Sequence, residues 1–282
     1  SNNEFYRYKL DAVIICTPAE THFKLVKESL MHGKHVLCEK PLTLKSEEAI
    51  QLEILSKKKK LVLMVGNIFL FNTGINLVKN YTKKDFLGKL IHMNSIRTNL
   101  GPIRRDVNVI YDLASHDISI FNYFLKSIPT VVSAIGVCKD KNKIEDCAFI
   151  NLKYPKNIIA NIQVSWLSPQ KIRSITVVGE KKMISWDDLD NLGPIKIYHK
   201  AEIKEPYYKD YGEFQLLSRD GNIQIPKVNL KEPLSIEVSH FLDVLNKGIK
   251  NLCNVKKAID IIKVLEAINI SIQQSGKPIK VA

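Results

Sequence analysis

Asp112 and His116 stand four residues apart in the stretch Asp106-Val-Asn-Val-Ile-Tyr-Asp112-Leu-Ala-Ser-His116-Asp117-Ile-Ser-Ile-Phe-Asn-Tyr-Phe124. Helical from about Tyr111, that stretch sets a carboxylate and an imidazole on one face, with Leu113, Ile120, Phe121 and Phe124 on the other. An imidazole whose ordinary pKa is about 6.5 exchanges a proton readily near neutrality, and a neighbouring carboxylate can orient it. An isolated pair at this spacing is more often a surface hydrogen bond than a catalytic site.

The elements that must carry these residues follow from periodicity. Asp11-Ala-Val-Ile-Ile-Cys-Thr17-Pro18 is a continuous apolar run, as in a parallel strand buried on both faces. A helix follows, with Phe23, Val26 and Leu30 at helical spacing and Gly33 as a left-handed cap. His35-Val-Leu-Cys38 is the next strand and runs into Glu39-Lys40-Pro41. Ser46 then caps a helix that has Glu47 and Glu48 in its first turn and ends in the lysine run 57–60, where the helix dipole favours cations. Leu61-Val-Leu-Met-Val-Gly66 is a third buried strand. This alternation over residues 1–67 predicts the carboxyl-terminal half of a doubly wound, Rossmann-like parallel sheet. Ligands bind such sheets at the carboxyl ends of the strands, where Thr17-Pro18, Glu39-Lys40-Pro41 and Gly66-Asn67 fall. No Gly-x-Gly occurs in the chain, so the glycine-rich turn that receives a pyrophosphate is not part of it.

Residues 68–282 read as an α+β domain with a large open antiparallel sheet. Its predicted strands are 89–98, 131–137, 147–154, 158–166, 172–179 and 182–186, with a hairpin at Pro155-Lys156-Asn157. One face of such a sheet commonly serves self-association, which predicts a homo-oligomer, dimer or tetramer. Residues 200–234 read as a polar connection anchored by Tyr207, Tyr208 and Tyr211. Two helices close the chain, one from about Ile236 to Lys247 capped by Gly248. The other carries Ala258, Ile261, Ile262, Leu265, Ile268 and Ile272 on one face, with Gly276 and Pro278 beyond.

At 282 residues, with 45% hydrophobic and 25% charged, the composition is that of two ordinary globular domains. No apolar run approaches the roughly 20 residues that span a bilayer, and the start lacks a basic or apolar leader pattern, which predicts a cytoplasmic protein without membrane contact. The five cysteines are odd in number and contain no Cys-x-x-Cys pair, which predicts buried, reduced thiols and no metal site. A net charge of +13 favours an anionic partner. The lysines are scattered and no nucleic-acid module is present, so the expected anion is a phosphate-bearing small molecule rather than nucleic acid.

Taken together, Ile15-Cys-Thr-Pro18 with His22, Glu39-Lys40-Pro41, Phe71-Asn72 and Asp112-x-x-x-His116-Asp117 resemble the Gfo/Idh/MocA (glucose–fructose oxidoreductase and inositol dehydrogenase) family of nicotinamide-dependent sugar dehydrogenases, in the same order along nearly the whole chain. Val164-Ser-Trp166, Ile175-Thr-Val-Val-Gly179, Glu232-Pro-Leu234 and His240-Phe241 are similar to the branch that acts on nucleotide-linked amino sugars. The resemblance implies hydride transfer from a sugar secondary alcohol to NAD, with NADP possible as the alternative. The implied substrate is a UDP-linked N-acetyl amino sugar oxidised at its 3-position. It implies His116 as the base, Asp112 as the group that orients it, and Lys40 as the cation that stabilises the alkoxide and touches the cofactor ribose. Thr17, Pro18, His22 and Glu39 would line the nicotinamide side. The chain departs from the pattern at Leu70-Phe71-Asn72-Thr73, where Arg-Phe-Asn-Pro is usual, at Asn108 in place of a glycine and at Ser119 in place of a second acid. The amino-terminal half of the nucleotide domain, roughly 60 residues by the size of a βαβ unit, is also missing. A second expectation therefore stands beside the first: a truncated or pseudoenzyme chain that binds ligand or pairs with a copy without redox activity.

Overall fold

The computed structural model describes residues 6–101, 104, 106–139, 144–199 and 221–281. Strands β1 (Ala12–Ile15), β2 (His35–Glu39) and β3 (Leu63–Gly66) form a parallel sheet in the order β1-β2-β3. Ile15 is level with Cys38, and Glu39 with Gly66, so the carboxyl ends of the three strands share one edge. Val36, Leu37 and Cys38 are buried, as a strand covered on both faces requires. Helices α1 (Ala19–Met31) and α2 (Ser46–Lys59) make the crossovers. Gly33 takes the left-handed conformation after α1, and Lys60 does so after α2. Ser46 opens α2 but does not cap it: its main-chain N–H and hydroxyl both donate to the Glu266 carboxylate, at 2.8 and 2.7 Å.

After β3 the chain makes a 3-10 turn (Ile68–Phe71) and enters α3 (Thr73–Tyr81), a helix that the sequence pattern did not single out, followed by the single turn α4 (Lys84–Leu87). Asn72 caps α3 by accepting from the Ile75 N–H. Nine strands then build one sheet in the order β11-β10-β9-β8-β4-β7-β6-β5-β12. They are β4 (Leu90–Leu100), β5 (Val131–Val137), β6 (Cys147–Tyr154), β7 (Ile158–Ser165), β8 (Leu167–Gly179), β9 (Lys182–Asp187), β10 (Ile195–His199), β11 (Ile223–Gln224) and β12 (Ile279–Lys280). Every pairing is antiparallel except β4 with β7, which is parallel. The connection after β4 reaches β5 by way of α5 (Ser115–Leu125), and the meander β5-β6-β7 returns to dock on β4 in the same direction. The β6–β7 turn holds Lys156 and Asn157 at φ 63° and 59°, a hairpin geometry that matches the strand twist.

Two helices close the fold, α6 (Pro233–Lys247) and α7 (Val255–Gln273). One side of α7, with Val255, Ala258, Ile259 and Ile262, packs into the core of the parallel sheet beside Val26, Leu30 and Val36. Another side, with Ile261, Val264, Leu265 and Ile268, joins the core of the large sheet. On α5, Ile120, Phe121 and Phe124 are buried as expected, whereas Leu113, just before the helix, is only half-buried and faces a cleft. All five cysteines are free, and the expectation of burial holds at Cys38 and Cys253 but fails at Cys16 and Cys138, which are exposed where β1 and β5 run out, and at Cys147, which is half-buried. Among the described residues no helix is long and apolar enough to cross a membrane. Tyr207, Tyr208 and Tyr211 lie outside the described residues.

Candidate active site

β2 ends at Glu39, and Lys40 follows immediately, before a cis peptide bond to Pro41. The Lys40 side chain, 13% exposed, crosses to the second domain and donates from Nζ to the Asp112 carbonyl at 2.5 Å and to Asp112 Oδ1 at 3.4 Å. Burial lowers the lysine's pKa and the Asp112 carboxylate opposes that drop.

Asp112 belongs to a π-helical turn, Ile110–Ala114, that leads into α5. Asn108 sets the turn: its carbonyl accepts from the Tyr111 N–H, while its amide donates to Glu145 and Asn269. A glycine there could form none of these bonds. The expected hydrogen bond between Asp112 and His116 is absent among the described residues. Asp112 instead accepts from Lys40, from Arg104 Nη1 at 3.2 Å and from the indole N–H of Trp166 at 3.2 Å. Charged and buried donors from three other segments outcompete a local imidazole for the same two oxygens. The helical face read from the sequence is correct in spacing, but the carboxylate is committed elsewhere.

His116 sits on the wall of a cleft of about 510 Å3, with its ring edge against Phe69 at a centroid distance of 4.9 Å. Burial first, then the positive charges of Lys40, Arg97 and Arg173, hold the imidazole well below its ordinary pKa. It is therefore neutral at neutral pH and able to accept a proton. Lys40 acts on His116 electrostatically, although neither Lys40 nor Asp112 is among the residues lining the cleft.

The residue after the histidine has a different task. Asp117 is fully buried and takes three hydrogen bonds, from Ser95 Oγ at 2.7 Å and from Arg97 Nε and Nη2 at 2.9 Å each. This bidentate pair clamps α5 to β4 and so fixes the position of His116. Arg97 also lays its guanidinium over Phe69, 4.4 Å from the ring centre. Across the cleft Asp188 accepts from Asn72 Nδ2 at 3.2 Å and from Arg173 Nη1 at 2.8 Å. Phe69, Arg97, Arg173 and Asp188 did not emerge from the sequence, and Asn72 did so only as part of the Phe71-Asn72 motif. Arg97 left one trace: along β4 it shares the inward face with Met93 and Ser95, and a charged residue on a core-facing position demands a buried partner.

At the strand ends, Thr17 and Pro18 are exposed and Glu39 half-buried. His22 is 1% exposed and has both ring nitrogens 2.8 Å from main-chain carbonyls, Nδ1 facing Pro41 and Nε2 facing Thr17. It ties the loop after β1 to the loop after β2, and both nitrogens are occupied in doing so. The Glu39 carboxylate lies over Gly66, where an added Cβ would stand 3.3 Å from Glu39 Oε2. Glu237 of α6, 1% exposed, leaves Oε1 without a partner. Burial and the Glu39 charge push its pKa up to about 8.

This arrangement places a neutral imidazole on a cleft and a lysine–aspartate pair at the end of a parallel sheet. Residues 2–67 match a family described as an oxidoreductase family with an NAD-binding Rossmann fold, and residues 106–281 match that family's C-terminal alpha/beta domain. The chain is 27% identical over 238 residues to a UDP-N-acetylglucosamine 3-dehydrogenase of Acidithiobacillus ferrooxidans, spanning 84% of this chain and 71% of that one. It is 26% identical over 170 residues to a scyllo-inositol 2-dehydrogenase (NAD(+)) of Bacillus subtilis, spanning 57% of this chain and about half, 50%, of the relative. The solved structure of the Acidithiobacillus enzyme superimposes with a TM-score of 0.81 at 23% identity, covering 97% of this chain and 82% of the other. GenD2 from gentamicin A biosynthesis, solved in complex with NAD, gives 0.83 at 18% identity over 100% and 82%. At these identities the structural likenesses establish the fold. The two family matches, which together run from residue 2 to residue 281 with one gap, establish the rest: the chain belongs to the Gfo/Idh/MocA oxidoreductase family.

Proposed function

We propose that this chain carries the substrate site and proton-transfer groups of an NAD-dependent dehydrogenase that oxidises a secondary alcohol of a sugar, a UDP-linked N-acetyl amino sugar at its 3-position. The observation that carries the reading is the neutral His116 on the cleft, with the half-buried Lys40–Asp112 pair beside it. NAD, when bound, supplies the hydride acceptor. Thr17, Pro18, Glu39 and Lys40 would hold its nicotinamide end, a role supported by the exposed loop after β1 and the partly exposed Lys40 at one shared strand edge. His22, with both nitrogens engaged, positions those loops rather than touching the ring. In this division residues 1–67 form the cofactor part and 68–282 the substrate and self-association part, with α7 shared between the two cores.

His116 takes the hydroxyl proton as the carbon gives up hydride. Lys40 remains cationic through Asp112 and stabilises the negative charge that develops on the oxygen. Arg97 and Asp117 keep α5, and with it the imidazole, from shifting. Lys171, Lys231 and the partly exposed Arg173 on the same cleft favour a substrate with a charged phosphate tail over a bare polyol.

The test is NAD-dependent oxidation of UDP-N-acetylglucosamine, followed by NADH absorbance, with NADH binding followed separately by fluorescence. His116→Ala should lower kcat by about 10²–10⁴-fold while NADH binding persists. Undiminished turnover in that variant would remove His116 from the role of base. Self-association forms part of the same proposal: Ile135 and Phe149 are cross-strand partners on the outer face of the large sheet, 63% and 50% exposed, and two copies pairing there would cover them.

A further inference from the structure

In the turns of α5 that follow His116, Asn122, Tyr123 and Lys126 line a second cavity, of about 410 Å3, that shares no residue with the cleft. Lys250, just after α6, and Lys257, in the first turns of α7, line it too. Lys79 of α3 stands beside them: burial, with the charges of Lys126 and Lys257, brings its pKa down to about 8. Lys250 acts likewise on Lys257. Lys79 thus lies within electrostatic reach of Lys126 and Lys257, and Lys257 within that of Lys250. Among the described residues none of the four has a carboxylate oxygen within 4.0 Å. Lys79 and Lys257 each spend one N–H on a main-chain carbonyl, of Phe124 and Leu252, which leaves two apiece. Asp260 is the one acid on the cavity wall, and its charge partners are Lys256 and Lys263 of its own helix.

Solvated lysines on a chain of net charge +13 would ordinarily spread apart, because gathering like charges is unfavourable. A second feature is an unmatched donor on a residue of the cavity wall. The Asn122 carbonyl accepts from the Tyr154 hydroxyl at 2.8 Å, while its amide nitrogen is buried without a partner. A buried donor with no acceptor is unfavourable, and an oxyanion would satisfy it. Leu70, Ile261 and the Tyr123 ring supply an apolar wall for a carbon skeleton, and the volume suits a small organic molecule.

We propose that this cavity binds an organic phosphate monoester. Its phosphate would be held by the ammonium groups of Lys126, Lys250 and Lys257, with the Asn122 amide donating to one phosphate oxygen. Several cations facing one wall acid match a ligand that carries about −1.5 to −2 charge at pH 7 better than they match a monocarboxylate. The site is separate from the proposed sugar cleft and does not depend on that assignment.

The experiment is calorimetric titration of the 282-residue chain with glucose 6-phosphate, with glucose as the control. Saturable binding of the phosphate ester, and none of glucose, is expected. Lys126→Gln combined with Lys257→Gln should weaken it by about tenfold or more, whereas Lys171→Gln in the His116 cleft should leave it unchanged. Asn122→Asp keeps the acceptor for Tyr154 but replaces the donor with a negative charge, and should abolish binding in a protein whose circular dichroism is that of the parent. Asp260→Asn should tighten it. Absence of saturable binding, equal affinity in the double lysine variant, or loss in Lys171→Gln instead would each overturn the proposal.

Discussion

Asp117 and Glu237 are both buried acids, one on the α5–β4 side of the His116 cleft and the other on α6 near Glu39 at the end of β2, and their surroundings are opposite. Asp117 has three donors, including the fork of Arg97. Glu237 has an oxygen with no donor, and the Glu39 charge nearby. The first region holds its charges in fixed ionised pairs, and so holds His116 still. The second stores a proton instead, because an unpaired charge there would be buried beside another of the same sign. Burial alone therefore says little about an acid's role, and its partners decide.

The largest effect should come from breaking the paired side. Asp117→Ala leaves the Arg97 guanidinium buried and unpaired, and should cost about 3–5 kcal/mol of stability in urea unfolding. A loss below about 1 kcal/mol would mean that the clamp on α5 lies elsewhere.

Glu237→Gln should act in the opposite direction. With a folded pKa of about 8 against an ordinary 4.5, the parent has its full stability below 4.5, where both states hold the proton. Between those values only the unfolded state ionises, so stability falls as pH rises and the loss is complete above about 8. At one pKa unit per about 1.4 kcal/mol, the amide should flatten the pH dependence of the melting temperature and stabilise the protein at alkaline pH by up to about 5 kcal/mol. A parent profile already flat over that interval would contradict the stored proton.

A smaller change separates Lys40 from its partner. Asp112→Asn removes the charge that keeps the Lys40 pKa up, so the alkaline limb of kcat/KM should move to lower pH. The acid limb, set by an imidazole held well below 6.5, should not move upward. The smallest effect on stability is expected outside both regions: Phe149→Glu, on the exposed sheet face, should change unfolding free energy by less than about 0.5 kcal/mol. It should nevertheless shift the mass measured by light scattering from dimer to monomer. An unchanged mass would exclude that face as the contact.

Much of the frame is legible in the sequence because periodicity survives tertiary contact. Strands β5 and β6 occupy the residues that their alternation predicts, 131–137 and 147–154. Gly33 and Gly248 end helices in left-handed geometry as expected. Ser46 was misread because Glu266, 220 positions away in sequence, takes its hydroxyl. The parallel β4–β7 pair escaped because strand patterning carries no direction. Residues Lys40, Asp112 and His116 could be picked out, but their partners could not.

The sequence by itself determined which residue types stand at the ends of buried strands and at the start of α5, because a continuous apolar run and a helical repeat are local properties of the chain. Only the tertiary structure decided that Asp112 serves Lys40, Arg104 and Trp166 rather than His116, that Asp117 rather than Asp112 secures the helix, and that Glu237 keeps its proton. A carboxylate has two oxygens and accepts from the strongest donors that the fold brings within reach. Those donors arrive here from strands and loops distant in sequence, which no local pattern encodes.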